Sequence, residues 1–102
     1  MKYILGIDVG TSNVKAVLFD ECGNEVSVSS RESRTINGAA NQVEQDMLLV
    51  WEKVKQCVKG VMEAGAASGE EVAAIGVTGQ GEGCWLIDKD GNPVQNAILW
   101  CD

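Results

Sequence analysis

The sequence contains no histidine among its 102 residues. Without an imidazole the chain cannot form a Ser–His or Cys–His nucleophile pair, and it lacks the usual nitrogen ligand of zinc. Its four cysteines are far apart and make no C-x-x-C pair; they are Cys22, Cys57, Cys84 and Cys101. The sequence therefore argues against a zinc site and indicates the reduced thiols of a cytoplasmic protein.

Basic residues are scarce as well. Eight Lys and Arg stand against fifteen Asp and Glu, which gives a formal net charge of −7. An acidic chain offers no basic patch for a nucleic-acid backbone and is repelled by an anionic membrane surface. The apolar runs are too short to span a bilayer, and the first residues show no signal-peptide pattern. We expect one small cytoplasmic domain at most, without a nucleic-acid or membrane partner.

The most informative stretch lies near the start of the chain. Continuous apolar residues predict a strand over Tyr3–Val9, buried on both faces, and a second strand over Val14–Phe19. A third strand, Glu25–Ser30, alternates apolar and polar residues, which predicts one buried face. Short turns between these strands predict an antiparallel meander.

The turn between the first two strands carries chemistry. Asp8 stands at the end of the first strand, followed by Gly10, Thr11 and Ser12, with Lys15 just beyond. Backbone N–H groups of a glycine-containing turn can surround phosphate oxygens, and a carboxylate suits Mg²⁺ or its coordinated water. The pattern favours a site for Mg²⁺-nucleotide phosphates. The alternative is an ordinary polar hairpin turn with nothing bound.

The middle of the chain predicts an irregular connection over Arg31–Val43 and then a helix. Asp46 is its expected N-cap and Gly65 its expected end, while Gly60 inside it indicates close packing on the sheet. The predicted core stripe of this helix consists of Met47, Trp51, Val54, Val58 and Val61.

A further apolar strand, Val72–Thr78, ends in the glycine loop (residues 79–83). Strand ends are common ligand sites, so Gln80 and Glu82 are candidate contacts for a polar small molecule. A solvent-exposed loop without a ligand is the alternative. Trp85, just after the loop, is expected to pack rather than to contact a ligand. The turns at Asp20 and Asp88 share one sequence pattern, which predicts shared turn chemistry.

Four segments occur in a set order: Gly6–Lys15 (GIDVGTSNVK), Val43–Asp46 (VEQD), Gly76–Gln80 (GVTGQ) and Asn96–Asp102 (NAILWCD). Their order and spacing resemble the N-terminal part of an FGGY-family carbohydrate kinase. The glycine loop and the residues after it are similar to the L-xylulose kinase and erythritol kinase branch. The resemblance covers nearly the whole chain.

The resemblance implies an α/β fold of the ribonuclease H-like (actin/hexokinase-type ATPase) kind. Its mixed five-stranded sheet has antiparallel first three strands and would be incomplete in this chain. Residues 1–102 would then be the N-terminal part of the first, sugar-binding domain, with the second, ATP-binding domain absent. We therefore expect a fragment.

The resemblance also assigns residues. It implies Mg²⁺ near Asp8, held through water. ATP phosphates would lie at Gly10, Thr11, Ser12 and Lys15. The sugar would contact Gln80, Glu82, Trp100 and Asp102. No residue of this chain is assigned as the catalytic base, which in the family is an Asp further along.

The activity implied is ATP-dependent phosphorylation of a sugar or polyol hydroxyl, with the chain alone inactive. Gly81 stands where glycerol kinases carry Arg, and the Met-His of D-xylulose kinases is absent, so a pentulose such as xylulose or an erythritol-like polyol is favoured. A homodimer is left open.

Two other functions stay open at this point. One is a nuclease of the same fold, for which Asp8 and Glu44 could begin a two-metal set, although the strand ending at Gln80 adds no third carboxylate. The other is a non-catalytic sugar-binding or regulatory module. An Asp in a glycine-rich setting more than a hundred residues later would favour the kinase.

Overall fold

The structure, a computed structural model, describes residues 1–37, 42–81 and 83–99. Its main sheet contains β1 (Tyr3–Val9), β2 (Asn13–Phe19), β3 (Glu25–Glu32) and β6 (Val72–Gly79). In the order β3-β2-β1-β6, the first three strands pair antiparallel and β6 lies parallel to β1. The predicted meander and mixed sheet are confirmed, whereas a fifth strand of this sheet stays a prediction.

A second, smaller antiparallel sheet was not predicted. It has the order β4-β5-β8-β7 and contains β4 (Ile36–Asn37), β5 (Val43–Gln45), β7 (Gly83–Cys84) and β8 (Ala97–Leu99). The prediction that Arg31–Val43 is irregular is therefore wrong in part, since β3 runs on to Glu32 and β4 follows. Strands of two or three residues are too short to show a period, and β5 pairs with β8 across more than fifty residues of sequence, as at Gln45 and Ala97.

Helix α1 (Met47–Ala64) begins and ends where the sequence predicts. The Asp46 carboxylate accepts the backbone N–H groups of Leu48 and Leu49 at 3.0 and 3.2 Å, and Gly65 is the C-cap. In the described ranges, no helix has both the length and the apolar character needed to cross a membrane.

The predicted core stripe of α1 is wrong in one respect. The side chains that α1 buries are Val50, Cys57 and Val61, whereas Trp51 is 56% exposed and lies 5.9 Å from the Lys55 ammonium. One residue corresponds to about 100° of helix rotation, so a stripe chosen by side-chain size can lie beside the true one.

The main core forms between α1 and one face of the sheet. It contains Leu5, Val14, Ala16, Leu18, Cys57 and Val61. Strand β3 turns Ser27 and Ser29 toward the helix, where the Ser27 hydroxyl donates to the Val61 carbonyl at 2.8 Å. A Cβ on Gly60 would lie 2.7 Å from Ser29 Oγ. The predicted close packing at Gly60 is thus confirmed.

The opposite face of the main sheet, here called the open face, has no covering element among the described residues. Ile4 and Val28 are each 46% exposed there. The expectation that β1 is buried on both faces is therefore wrong for the described chain. The valines of β3 also lie away from the helix, so its alternation is present but its apolar side faces outward.

The two matching turns use the same chemistry, as the sequence predicts. Asp20 accepts the backbone N–H groups of Cys22 and Asn24, each at 2.9 Å. Asp88 accepts those of Asp90 and Asn92 at 2.9 and 3.0 Å. Gly23 and Gly91 both have positive φ, +84° and +83°, a conformation that favours glycine.

Candidate functional site

The end of β1 carries an exposed carboxylate on the open face. Asp8 pairs in register with Lys15 of β2 and with Thr78 of β6, and paired residues of neighbouring strands share a face. These three side chains line a shallow depression of about 450 Å³. Asp8 is thus accessible, and a basic side chain and a hydroxyl stand on either side of it.

The β1–β2 turn (residues 10–12) is held tightly. The Gly10 N–H donates to the Asn13 carbonyl at 2.9 Å, and the Ser12 carbonyl accepts from the Ser33 N–H at 2.8 Å. A Cβ on Gly10 would lie only 2.9 Å from the Asn13 oxygen. The turn therefore requires glycine because of this close approach.

The Thr11 carbonyl accepts a hydrogen bond from a buried side chain. Gln45 Nε2 donates to it at 2.9 Å. A trans peptide directs its N–H opposite to its C=O, so the N–H of Ser12 points away from Gln45. This places one backbone donor on the outer side of the turn, as a phosphate site needs.

Gln45 is a buried residue that sequence reasoning missed. Its side chain is fully buried. It also accepts from Gln80 Nε2 at 2.9 Å and donates to Ser33 Oγ at 3.2 Å. A long amide between Glu44 and Asp46, inside the VEQD segment, was the signal in the sequence. Its meaning depends on partners 34 or 35 residues away.

Gln80 reaches the site from the glycine loop. Its Nε2 group is engaged by Gln45, while its Oε1 atom is buried and has no hydrogen-bond partner among the described residues. Most buried polar atoms in proteins are paired. Gln80 is thus the sugar-side candidate that the structure places beside the β1–β2 turn. Glu82, Trp100 and Asp102 lie outside the described residues.

Trp85 is half-buried and its indole lies next to Gly83. A Cβ on Gly83 would lie 2.8 Å from Trp85 Nε1 and 3.1 Å from the Ile98 carbonyl. Gly83 also has a φ of +150°. The packing role expected for Trp85 agrees with this close contact.

A second depression lies on the other side of the β1–β2 turn. It has a volume of about 730 Å³ and is lined by Ser12, Asn13, Glu32, Ser33, Arg34 and Thr35. Arg34 is exposed and lies 3.7 Å from Glu32. This arginine is a further basic side chain near the turn that sequence reasoning did not single out.

The donor set for a metal is small. In the described ranges, no group of three or more His, Cys, Asp or Glu could hold a metal ion. Mg²⁺ commonly keeps several waters and uses one or two carboxylates together with phosphate oxygens, and the exposed Asp8 fits that role. Glu44 lies on the small sheet, where it accepts from Asn96 Nδ2 at 3.2 Å. The two-metal nuclease alternative finds no support in these residues.

The resolved pKa shifts lie outside this site. The pKa of Asp20 is lowered because its carboxylate accepts a hydrogen bond from the backbone N–H of Asn24. The pKa of Glu71 is lowered in the same way by the backbone N–H of Ser68. Burial raises the pKa of the Cys57 thiol.

Comparison with known proteins gives one consistent family. Residues 3–102 match the N-terminal domain of the FGGY family of carbohydrate kinases. Glycerol kinase 2 of Thermotoga maritima is 42% identical over 101 residues, which is 98% of this chain and 20% of that protein. Erythritol kinase of Brucella abortus is 37% identical over 102 residues, which is 97% of this chain and 19% of that protein.

Solved structures agree with the sequence comparison. The ligand-bound xylulose kinase of Lactobacillus acidophilus superposes with a TM-score of 0.87 at 30% identity, covering 100% of this chain and 20% of that one. This neighbour is a sugar kinase with the actin/hexokinase-like fold. The chain therefore spans about a fifth of the length of these relatives. Because glycerol and erythritol kinases match at similar identity, similarity alone does not favour one substrate branch.

Proposed function

Because this chain belongs to the FGGY family of carbohydrate kinases, we propose that it is part of an enzyme that phosphorylates a sugar or polyol hydroxyl with ATP. Residues 1–102 would be the N-terminal part of the first, sugar-binding domain, with the ATP-binding domain outside this chain. The observation that carries the proposal is the exposed Asp8 at the end of β1, next to a turn whose carbonyls are held inward.

The phosphate end of the site follows from that geometry. Asp8 would hold Mg²⁺ through a water molecule, which suits a lone exposed carboxylate. Phosphate oxygens would be bound by the residues of the β1–β2 turn and by the facing cation: Gly10, Thr11, Ser12 and Lys15. Phosphoryl transfer depends mainly on such positioning and charge neutralisation.

The proposed sugar contacts rest on one described residue, Gln80, and on the resemblance of the other segments to the family. Gln80 supplies a buried acceptor oxygen beside the β1–β2 turn. Glu82, Trp100 and Asp102 are proposed as further sugar contacts, on the resemblance of their segments to the family. Gly81 in place of the arginine of glycerol kinases supports a pentulose such as xylulose or an erythritol-like polyol.

We expect the isolated chain to have no kinase activity. No residue in it is proposed as the general base that the acceptor hydroxyl requires. An ATP-dependent phosphorylation assay with xylulose, erythritol and glycerol should stay at background for the isolated chain. Clear turnover by the isolated chain would contradict the proposal that the general base lies outside residues 1–102.

Binding of Mg²⁺-ATP tests the phosphate site directly. Calorimetric titration of the chain should show binding that depends on Mg²⁺, and Asp8→Asn should weaken it about tenfold because the metal-facing charge is lost. Asp90→Asn, an equal change in an exposed turn far along the sequence, is the matched control and should bind like the parent chain. Equal binding by the parent and Asp8→Asn would overturn the proposed role of Asp8.

A further inference from the structure

We propose that Gln45 is a positioning residue that couples the β1–β2 turn to the glycine loop and presents the Gln80 Oε1 atom to a hydroxyl of the substrate. This inference rests on the proposed function, which places phosphate at the turn and sugar at the loop. It adds a residue that contacts neither ligand and a defined hydrogen-bonding role for Gln80.

The direction of the hydrogen-bond chain is fixed by one backbone group. The two ends of a carboxamide have nearly the same shape, so their assignment depends on their partners. The Thr11 carbonyl can only accept, which requires the Gln45 –NH₂ group to face it at 2.9 Å. Gln45 Oε1 then faces Gln80, and Gln80 must present its own –NH₂ group at 2.9 Å. The remaining Gln80 atom is therefore an acceptor, Oε1.

This leftover acceptor selects the chemistry of its partner. Gln80 Oε1 is buried and has no hydrogen-bond partner among the described residues. A carboxylate or a fully ionised phosphate group can only accept a hydrogen bond and would meet this oxygen unfavourably, whereas an alcohol hydroxyl donates readily. Gln80 Oε1 thus suits a donating hydroxyl of a polyol or sugar substrate.

The hydrogen bonds of Gln45 and Ser33 also hold the β1–β2 turn at two successive carbonyls. Gln45 holds the Thr11 carbonyl directly, and it donates to Ser33 Oγ, whose own residue holds the Ser12 carbonyl through its N–H. Loss of Gln45 should therefore displace both the turn and Gln80. Displacements of this kind at positioning groups can lower rates about a hundredfold.

The first test uses the chain alone and needs no ligand. Hydrogen exchange of the Gln80 side-chain amide, followed by NMR, should be protected in the parent chain and fast in Gln45→Leu. Gln45→Glu should keep the Gln80 amide protected, because a carboxylate still accepts, yet shift the Ser12 backbone resonance, because it no longer donates to Thr11. Gln56→Leu, on the exposed side of α1, is the matched control and should change neither signal.

The second test supplies the rest of the enzyme. Residues 1–102 would replace the matching stretch of Thermotoga maritima glycerol kinase 2, which is 42% identical. In this chimera, Gln45→Leu should raise two KM values about tenfold each, the KM for ATP and the KM for the acceptor that the chimera phosphorylates among xylulose, erythritol and glycerol. A rise of this size is expected for loss of one buried hydrogen-bond partner. A merely structural role would lower the active fraction and leave both KM values unchanged.

The outcomes separate the two proposals. An inactive parent chimera would count against the proposed function, whereas the exchange measurements would still decide the role of Gln45. Protection of the Gln80 amide in Gln45→Leu, or a change in only one of the two KM values, would overturn the coupling. If Gln45→Leu does not fold, Gln80→Met removes the same contact from its half-buried end and should also shift the Ser12 backbone resonance, because Gln45 loses the partner that holds its carboxamide. An unchanged Ser12 resonance in Gln80→Met would contradict the coupling.

Discussion

The two faces of the main sheet are made by the same strands and differ in what covers them. Along β2, Val14, Ala16 and Leu18 lie under α1 and are almost fully buried. The residues between them point to the open face, where Lys15 pairs with Asp8 and Val28 is 46% exposed. Strand alternation therefore divides one short sequence into a packed side and an accessible side.

This division separates stability from chemistry. The covered face contributes the contiguous apolar cluster, and the open face contributes the depression with the proposed metal-facing carboxylate. Substitutions on the covered face should change the free energy of unfolding, whereas those on the open face should change ligand binding more than stability. Each of the following measurements can break or sharpen that contrast.

The largest effect is expected from Leu18→Ala. Leu18 is fully buried between the sheet and α1, and truncation of such a leucine typically costs about 2–5 kcal/mol of unfolding free energy, because a cavity remains. Val28→Ala on the open face should cost less than about 1 kcal/mol. Urea denaturation at two protein concentrations measures both. Equal losses would mean that the open face is also packed in solution.

A pair of glycines tests the contrast without removing apolar surface. Gly60→Ala would place a Cβ 2.7 Å from Ser29 Oγ, and overpacking of about 1–3 kcal/mol should outweigh the gain of about 1 kcal/mol in helix propensity. Gly76→Ala, whose Cβ would meet nothing within 4 Å, should be neutral or stabilising by about 0.5 kcal/mol.

Ser29→Ala provides the internal check on that pair. Removing the hydroxyl takes away the closest atom to the new Cβ, so Gly60→Ala should be less harmful in this background, and the two changes should not be additive. Additive losses in the double-mutant cycle would show that the close approach at Gly60 is not what opposes alanine.

The helix that covers the sheet depends on its first turn. Asp46→Ala removes the acceptor for the Leu48 and Leu49 N–H groups and should lower the unfolding free energy by about 1 kcal/mol. Asp46→Asn keeps a capping oxygen and should lose less than half of that. If both variants lose the same amount, charge rather than hydrogen bonding is the larger contribution.

Local features of the fold could be predicted because their causes are local. The β1–β2 hairpin, the Asp46 cap and the twin turns at Asp20 and Asp88 each depend on neighbours within a few positions. The family could also be predicted, since its motifs are short and ordered. For the site, the exposed position of Asp8 agrees with the sequence, while its role and those of the other candidates stay predictions.

Features that depend on distant partners could not be predicted. The small sheet joins strands separated by about fifty residues, such as Gln45 with Ala97, and none is long enough to show a period. Gln45 itself acquires meaning only through Thr11 and Gln80. The prediction that Trp51 belongs to the core was wrong for a different reason. Side-chain size was taken as a sign of burial, whereas the smaller Val50 and Cys57 are the buried residues.

The smallest effect expected is an alkaline one on the covered face. Cys57 is buried against β2, where its thiol donates to the Val14 carbonyl at 3.3 Å. Burial raises the pKa of this thiol, and the charges of Arg31 and Lys53 offset part of the rise. The unfolded chain therefore loses the proton at a lower pH than the folded chain does.

The sign of the pH dependence follows from that difference. The stabilising contribution is fully present below about pH 8.5, where an exposed thiol is still protonated, and it is lost as the pH rises through the higher folded-state pKa. Unfolding free energies measured from pH 7 to 10 should fall for the parent chain and fall less for Cys57→Ala, after the constant cost of the smaller side chain is subtracted. Cys22→Ala, at an exposed cysteine, should keep the parent slope. An unchanged slope in Cys57→Ala would show that the alkaline loss arises elsewhere, and the covered face would then owe nothing to the protonation of its buried thiol.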